Sequence, residues 1–245
     1  MYSNVLAIGT QALYNRINSF VREENRMTTI YWAGDSTVKQ NTVLTWPQTG
    51  IGQMFERYVE RVSVCIDNHA ENGRSAKSFI DEGRLDILAK RLRKGDFLFI
   101  QFGHNDEKQD DPARYADPDG EFGELLAKYV EVALQKKTVP VIITPVTRRG
   151  FTLPEQPWRH DRWAAAAKRT AKALGVACID LTAMSEDLLI HTPEDVRECW
   201  YMPDGTHLKP EGALMFGGLI AKALYRLGDK YAKLLDPNYL QSLQG

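Results

Sequence analysis

Cysteine is scarce in this chain: three in 245 residues, at positions 65, 178 and 199, with no Cys-x-x-Cys pair among them. That spacing excludes a zinc site or a redox couple built on paired thiols. Cys65 and Cys178 lie in apolar runs and read as buried, reduced side chains. Long hydrophobic runs are missing as well. None approaches the ~18 residues a membrane-spanning helix requires, so no membrane partner is expected. Charge of one sign is also lacking. Lys and Arg number 31 against 32 Asp and Glu, giving a formal net charge of −1. With no basic stripe, nothing drives counterion release from a polyanion, and nucleic acid is not an expected partner.

What remains is an ordinary globular composition, 43% hydrophobic and 26% charged, in a chain long enough to bury its own core. No repeat or low-complexity linker divides it, so residues 27–245 read as one domain. Residues 1–26 form an N-terminal extension. They have three possible roles: packing on the sheet, contacting a second copy, or preceding a native start at Met27. The mildly apolar stretch 4–13 has no basic residue before it and no small-residue cleavage site after it. The expectation is therefore a cytoplasmic protein without a secretory signal. Oligomeric state is not legible.

From residue 28 onward, β-prone runs alternate with helical spacing. Continuous apolar runs at 29–33, 61–66, 97–102, 139–144 and 176–180 suit strands covered on both faces of a parallel sheet. Helices are expected at 52–61, 85–92, 122–135, 163–174 and 210–227. Leu125, Leu126, Tyr129, Val130, Ala133 and Leu134 share one side of the third. Gly175 is placed to cap the fourth helix, and Pro210 to open the fifth. Such alternation predicts a three-layer, doubly wound α/β sandwich around a mostly parallel five-stranded sheet. Ligands in such folds bind beyond the carboxyl ends of the strands.

Four polar motifs fall on that rim. Gly34-Asp35-Ser36-Thr37 follows strand one and exposes Ser36 at a sharp turn; taken alone it fits an N-cap or turn serine equally well. Asn72-Gly73-Arg74-Ser75 follows strand two, where Gly73 lets a backbone N–H approach a ligand, although Asn-Gly is also a common turn. Phe102-Gly103-His104-Asn105-Asp106 follows strand three and brings an Asn105 amide to the rim; His104 fits a structural role better than that of base. Asp204-Gly205-Thr206-His207 precedes the last helix. A carboxylate three residues before a histidine can hold Nδ1–H and leave Nε2 as a base, which a serine hydroxyl needs before it becomes a nucleophile.

In this order the motifs resemble the blocks of the GDSL/SGNH hydrolases, whose chains supply Ser, Gly, Asn and His in turn. The match runs from about residue 28 to the last helix. Ala33-Gly-Asp-Ser-Thr-Val38, Asn72-Gly-Arg-Ser-Ala-Lys-Ser-Phe79 with Glu82-Gly-Arg84, and Asp204-Gly-Thr-His207 with Leu208 look like the versions found in rhamnogalacturonan acetylesterases. The resemblance implies an SGNH-type fold and a serine esterase. Its catalytic triad would be Ser36, His207 and Asp204, and its oxyanion donors Ser36, Gly73 and Asn105. No metal or organic cofactor is implied. The implied partner is an acetylated carbohydrate, most specifically rhamnogalacturonan or its imported oligosaccharide fragments. Arg74, Trp46, Trp200 and Tyr201 are candidates for binding the sugar, although a surface Arg and packed aromatics account for them as well.

Four other readings compete. Another SGNH esterase or lipase activity differs only in the acyl ester. A metallophosphoesterase needs an early Asp-x-His that strand one lacks. A penicillin-recognising enzyme needs partners that Ser36-Thr37-Val38-Lys39 does not have. A non-catalytic sugar-binding module leaves four complete motifs unexplained. Two polar stretches, 39–49 and 106–120, are expected to form rim loops, the second of them mobile.

Overall fold

The computed structural model describes residues 26–151 and 160–243; the N-terminal extension, Arg26 excepted, lies outside them. Five strands form one sheet: β1 (Thr28–Gly34), β2 (Val64–Asn68), β3 (Phe97–Gln101), β4 (Val139–Ile143) and β5 (Ala177–Ile179). Their order is β2-β1-β3-β4-β5, and every pairing is parallel. Helix α1 (Ile51–Met54) follows β1, while α2 (Ala76–Asp81) and α3 (Arg84–Ala89) follow β2. Helix α4 (Glu121–Gln135) follows β3 and α5 (Asp161–Leu174) follows β4. After β5 come α6 (Leu181–Ile190), α7 (Glu194–Trp200), α8 (Pro210–Arg226), α9 (Asp229–Ala232) and α10 (Pro237–Ser242).

The two-residue period of a strand explains why the apolar runs are unbroken. Ile30, Trp32, Phe97 and Phe99 point to one face, where they pack with Phe55 and with Phe216, Ile220 and Leu224 of α8. Tyr31, Ala33, Leu98 and Ile100 point to the other, beneath Phe122, Leu126 and Tyr129 of α4 and the alanines of α5. Both faces are covered at these positions, so each of them is apolar or aromatic. Leu134 departs from its expected side and is exposed, because the buried stripe of α4 closes at Ala133.

Some boundaries move for local reasons. The second strand starts at Val64, since Ser63 and Val64 both donate backbone N–H to Glu60 O and turn the chain there, leaving Val62 in solvent. The expected helix at 52–61 shortens to α1 and a 3₁₀ turn at Phe55–Arg57. Beyond it, Val59 bridges to Leu235 and the Glu60 N–H donates to Leu234 O, drawing the chain out straight. The three thiols are free, but Cys65 and Cys178 are half-buried rather than buried. Burial still pushes the Cys178 thiol up to about 11.

The chain leaves β1 towards β2 on one side, then returns to place β3 on the other. The strand order therefore reverses between β1 and β3, and a crevice opens beyond their carboxyl ends.

Candidate active site

Close approach shapes the turn after β1. A Cβ on Gly34 would stand 2.9 Å from Gln101 O of β3, so only glycine lets the two strand ends lie this near. Asp35 is fully buried and holds the turn from within: its Oδ1 accepts from Thr37 N at 2.9 Å and from Thr37 Oγ1 at 2.7 Å. Burial raises the Asp35 carboxyl above its ordinary range despite those bonds. Ser36 is carried on this turn at the mouth of the crevice, just beyond β1.

Beyond β2, Gly73 has φ +73°, the left-handed region that glycine tolerates. Ser75 then caps α2 in a reciprocal box with Ser78. The block after β3 is tied to this one by Asp106, whose Oδ1 accepts the Ala76 N–H at 2.8 Å at the start of α2. Burial drives the Asp106 carboxyl well above its usual range. Asn105 is fixed at both ends of its amide. Nδ2 donates to Arg74 O at 3.1 Å, and Oδ1 accepts from Arg114 Nη1 at 3.3 Å. One hydrogen on Nδ2 stays unspoken for. No acceptor among the described residues takes the backbone N–H of Ser36 or Gly73.

The fourth block folds around a carboxylate. Asp204 Oδ1 accepts the N–H groups of Thr206 and His207, each at 2.9 Å, and Oδ2 lies 2.5 Å from His207 Nδ1. Burial pushes the Asp204 carboxyl upward, but the imidazole and the two backbone donors outweigh it and hold it below its usual range. An ionised carboxylate only accepts, so Nδ1 carries the imidazole proton and Nε2 is left as an acceptor. That nitrogen sits 2.9 Å from Ser36 Oγ.

A buried ion pair braces the same turn. Glu107 accepts from Arg148 Nη2 at 2.6 Å, and Arg148 Nη1 donates to Thr206 Oγ1. The second Glu107 oxygen lies 2.8 Å from His160 Nδ1. His104 packs edge-on against His160, with ring centroids 4.2 Å apart. Burial, with the neighbouring His160 and Arg148, lowers the His104 imidazole well below its ordinary value and keeps it neutral. It serves the site's floor, and His207 alone meets the serine.

Ser36, Gly73, Asn105, Asp204 and His207 thus surround one open cleft of about 690 Å³. The four sugar-binding candidates do not line it. Trp200 and Tyr201 are buried in the core against Phe216, and the Tyr201 hydroxyl donates to Thr147 O. Trp46 is exposed outside the cleft, which the 39–49 loop reaches through Gln48 instead. The Arg74 guanidinium turns to Glu82 and to Asn72 O. The basic groups that do reach the cleft, Lys108, Arg114 and Arg148, were not anticipated. Two of them sit on the polar 106–120 loop, where no periodicity distinguishes one charge from another. Among the described residues, no three His, Cys, Asp or Glu side chains are grouped to hold a metal ion.

The model of the GDSL-like lipase/acylhydrolase family matches residues 33–214, a span that contains all four blocks. A rhamnogalacturonan acetylesterase of Bacillus subtilis (strain 168) is 34% identical over 221 residues, covering 81% of this chain and 90% of its own. A probable rhamnogalacturonan acetylesterase of the same strain is 34% identical over 208 residues, covering 81% and 93%. The crystal structure of the Bacillus subtilis protein YxiM is similar with a TM-score of 0.72 at 27% identity, over 82% of this chain. The chain spans 57% of that structure's length.

Proposed function

The chain belongs to the GDSL-like lipase/acylhydrolase family, and from that premise we propose that it is a serine esterase that removes acetyl groups from rhamnogalacturonan or its oligosaccharide fragments. The observation that carries the reading is the line Ser36 Oγ–His207 Nε2–Asp204, with contacts of 2.9 and 2.5 Å. The relatives named for acetylated rhamnogalacturonan support the choice of substrate.

In the reaction, Ser36 Oγ attacks the acetyl carbonyl carbon while its proton passes to His207 Nε2. Asp204 holds the ring and stabilises the imidazolium that forms. Negative charge gathers on the carbonyl oxygen, where the N–H groups of Ser36 and Gly73 and the free Asn105 amide hydrogen receive it. The tetrahedral adduct collapses, the C–O bond to the sugar breaks, and the leaving oxygen takes the proton from His207. Water then attacks the acetyl-serine ester, giving a proton to His207, which returns it to Ser36 Oγ as acetate departs.

Acetate release from acetylated rhamnogalacturonan oligosaccharides, acetylated xylan fragments and chitin fragments tests the substrate. The highest kcat/KM is expected on the first. A clear preference for xylan or chitin fragments overturns the assignment.

A further inference from the structure

The cleft is lined by three basic side chains and, besides Asp204, by one carboxylate, Asp110. Lys108, Arg114 and Arg148 all line the cleft with Ser36 and Gly73. Two are answered internally: Arg114 Nε reaches Asp111 Oδ2 at 2.5 Å, and Arg148 reaches Glu107 at 2.6 Å. Lys108 is half-buried, and no carboxylate among the described residues lies within ion-pairing distance of its ammonium. Burial and the two guanidinium groups lower its pKa, while Glu107 and Asp110 oppose them only at a distance. A cation crowded in this way is unfavourable in an empty cleft, and an arriving anion relieves it.

The position of these charges matters as much as their number. Arg114 Nη1 lies 3.9 Å from where a Cβ on Gly73 would stand and bonds Asn105 Oδ1 at 3.3 Å. Arg114 is therefore adjacent to two of the three groups that receive the oxyanion. An anion held there belongs to the sugar that bears the acetyl ester or to its neighbour. Of the anions a sugar carries, a planar carboxylate matches a guanidinium fork beside an ammonium.

We infer that Lys108, with Arg114 beside it, forms a carboxylate subsite that selects acetyl esters carried on or next to a sugar acid. This deepens the proposed function and rests on it. Because Arg114 also orients Asn105, Lys108 is the residue that separates recognition from chemistry.

The test compares acetylated galacturonate oligosaccharides that keep their free carboxylates with the same oligosaccharides after methyl esterification, which removes the charge and adds one methyl group. Wild type is expected to favour the free acid roughly tenfold in kcat/KM, the scale of one charge-assisted hydrogen bond. Lys108→Met brings that ratio near one, mainly through KM, and Lys108→Arg retains it. A wild-type ratio near one overturns the subsite whether or not the methionine variant folds, and so does a ratio that Lys108→Met leaves unchanged. Failure of wild type to release acetate from either form overturns the substrate reading itself, and the subsite with it.

Discussion

His207 Nε2 lies 2.9 Å from Ser36 Oγ across 171 residues of sequence, while Nδ1 of the same ring is held by Asp204, three residues away. The short-range contact sets the tautomer and the long-range one uses it. Asp204→Asn loses that control, because an amide can present its NH₂ to Nδ1 and stabilise the wrong tautomer. We expect kcat to fall on the order of 10⁴-fold with little change in KM, measured by steady-state acetate release. The same substitution has a thermal signature. Asp204 titrates below its ordinary value in the folded chain, so it stabilises above about pH 4 and loses that contribution as pH falls further. Below about pH 4, Tm of Asp204→Asn should decline less steeply than Tm of wild type.

The amide of Asn105 is polarised into position by Arg74 O on one side and Arg114 on the other. Asn105→Ala removes one oxyanion donor and should cost roughly 10²–10³ in kcat. Arg114→Met leaves the amide held by Arg74 O alone, and a smaller loss in kcat is expected. Equal kcat in wild type and Asn105→Ala would remove the side chain from the oxyanion site.

Glu107 is the buried end of the brace that reaches Thr206 through Arg148. Glu107→Gln keeps the shape and removes the charge, which leaves a nearly buried guanidinium uncompensated. Breaking such a pair from one side costs roughly 3–5 kcal/mol, readable as a lower denaturation midpoint. With the 204–207 turn loosened, kcat should drop while KM on a neutral aryl acetate stays close to that of wild type. A midpoint and kcat both equal to those of wild type would show that the brace is idle.

The parts of this molecule that were legible in its sequence share a physical cause. β1 and β3 announce themselves because a strand buried on both faces must be apolar at every position, and Ile30, Trp32, Phe97 and Phe99 meet that demand from one side while Tyr31, Ala33, Leu98 and Ile100 meet it from the other. Ser36, Gly73 and His207 are readable because a local constraint marks each: Gly34 at a close approach, a left-handed turn at 73, a carboxylate three residues before the imidazole. Trp200 and Tyr201 lack any such mark. An aromatic side chain near a motif fits a sugar platform or a packed core equally, and burial is decided by α8, which arrives from beyond them in sequence. Lys108 and Arg114 were hidden for the opposite reason, since an irregular polar loop gives every charge the same apparent exposure. The short helices α2, α6 and α7 escaped because fewer than three turns display too little periodicity to separate them from loops.

Acetate release by Ser36→Ala on acetylated rhamnogalacturonan oligosaccharides tests the central claim most directly. The geometry predicts a loss of about 10⁶-fold in kcat, because a triad stripped of its nucleophile has nothing for His207 to activate. Turnover close to that of wild type would contradict it.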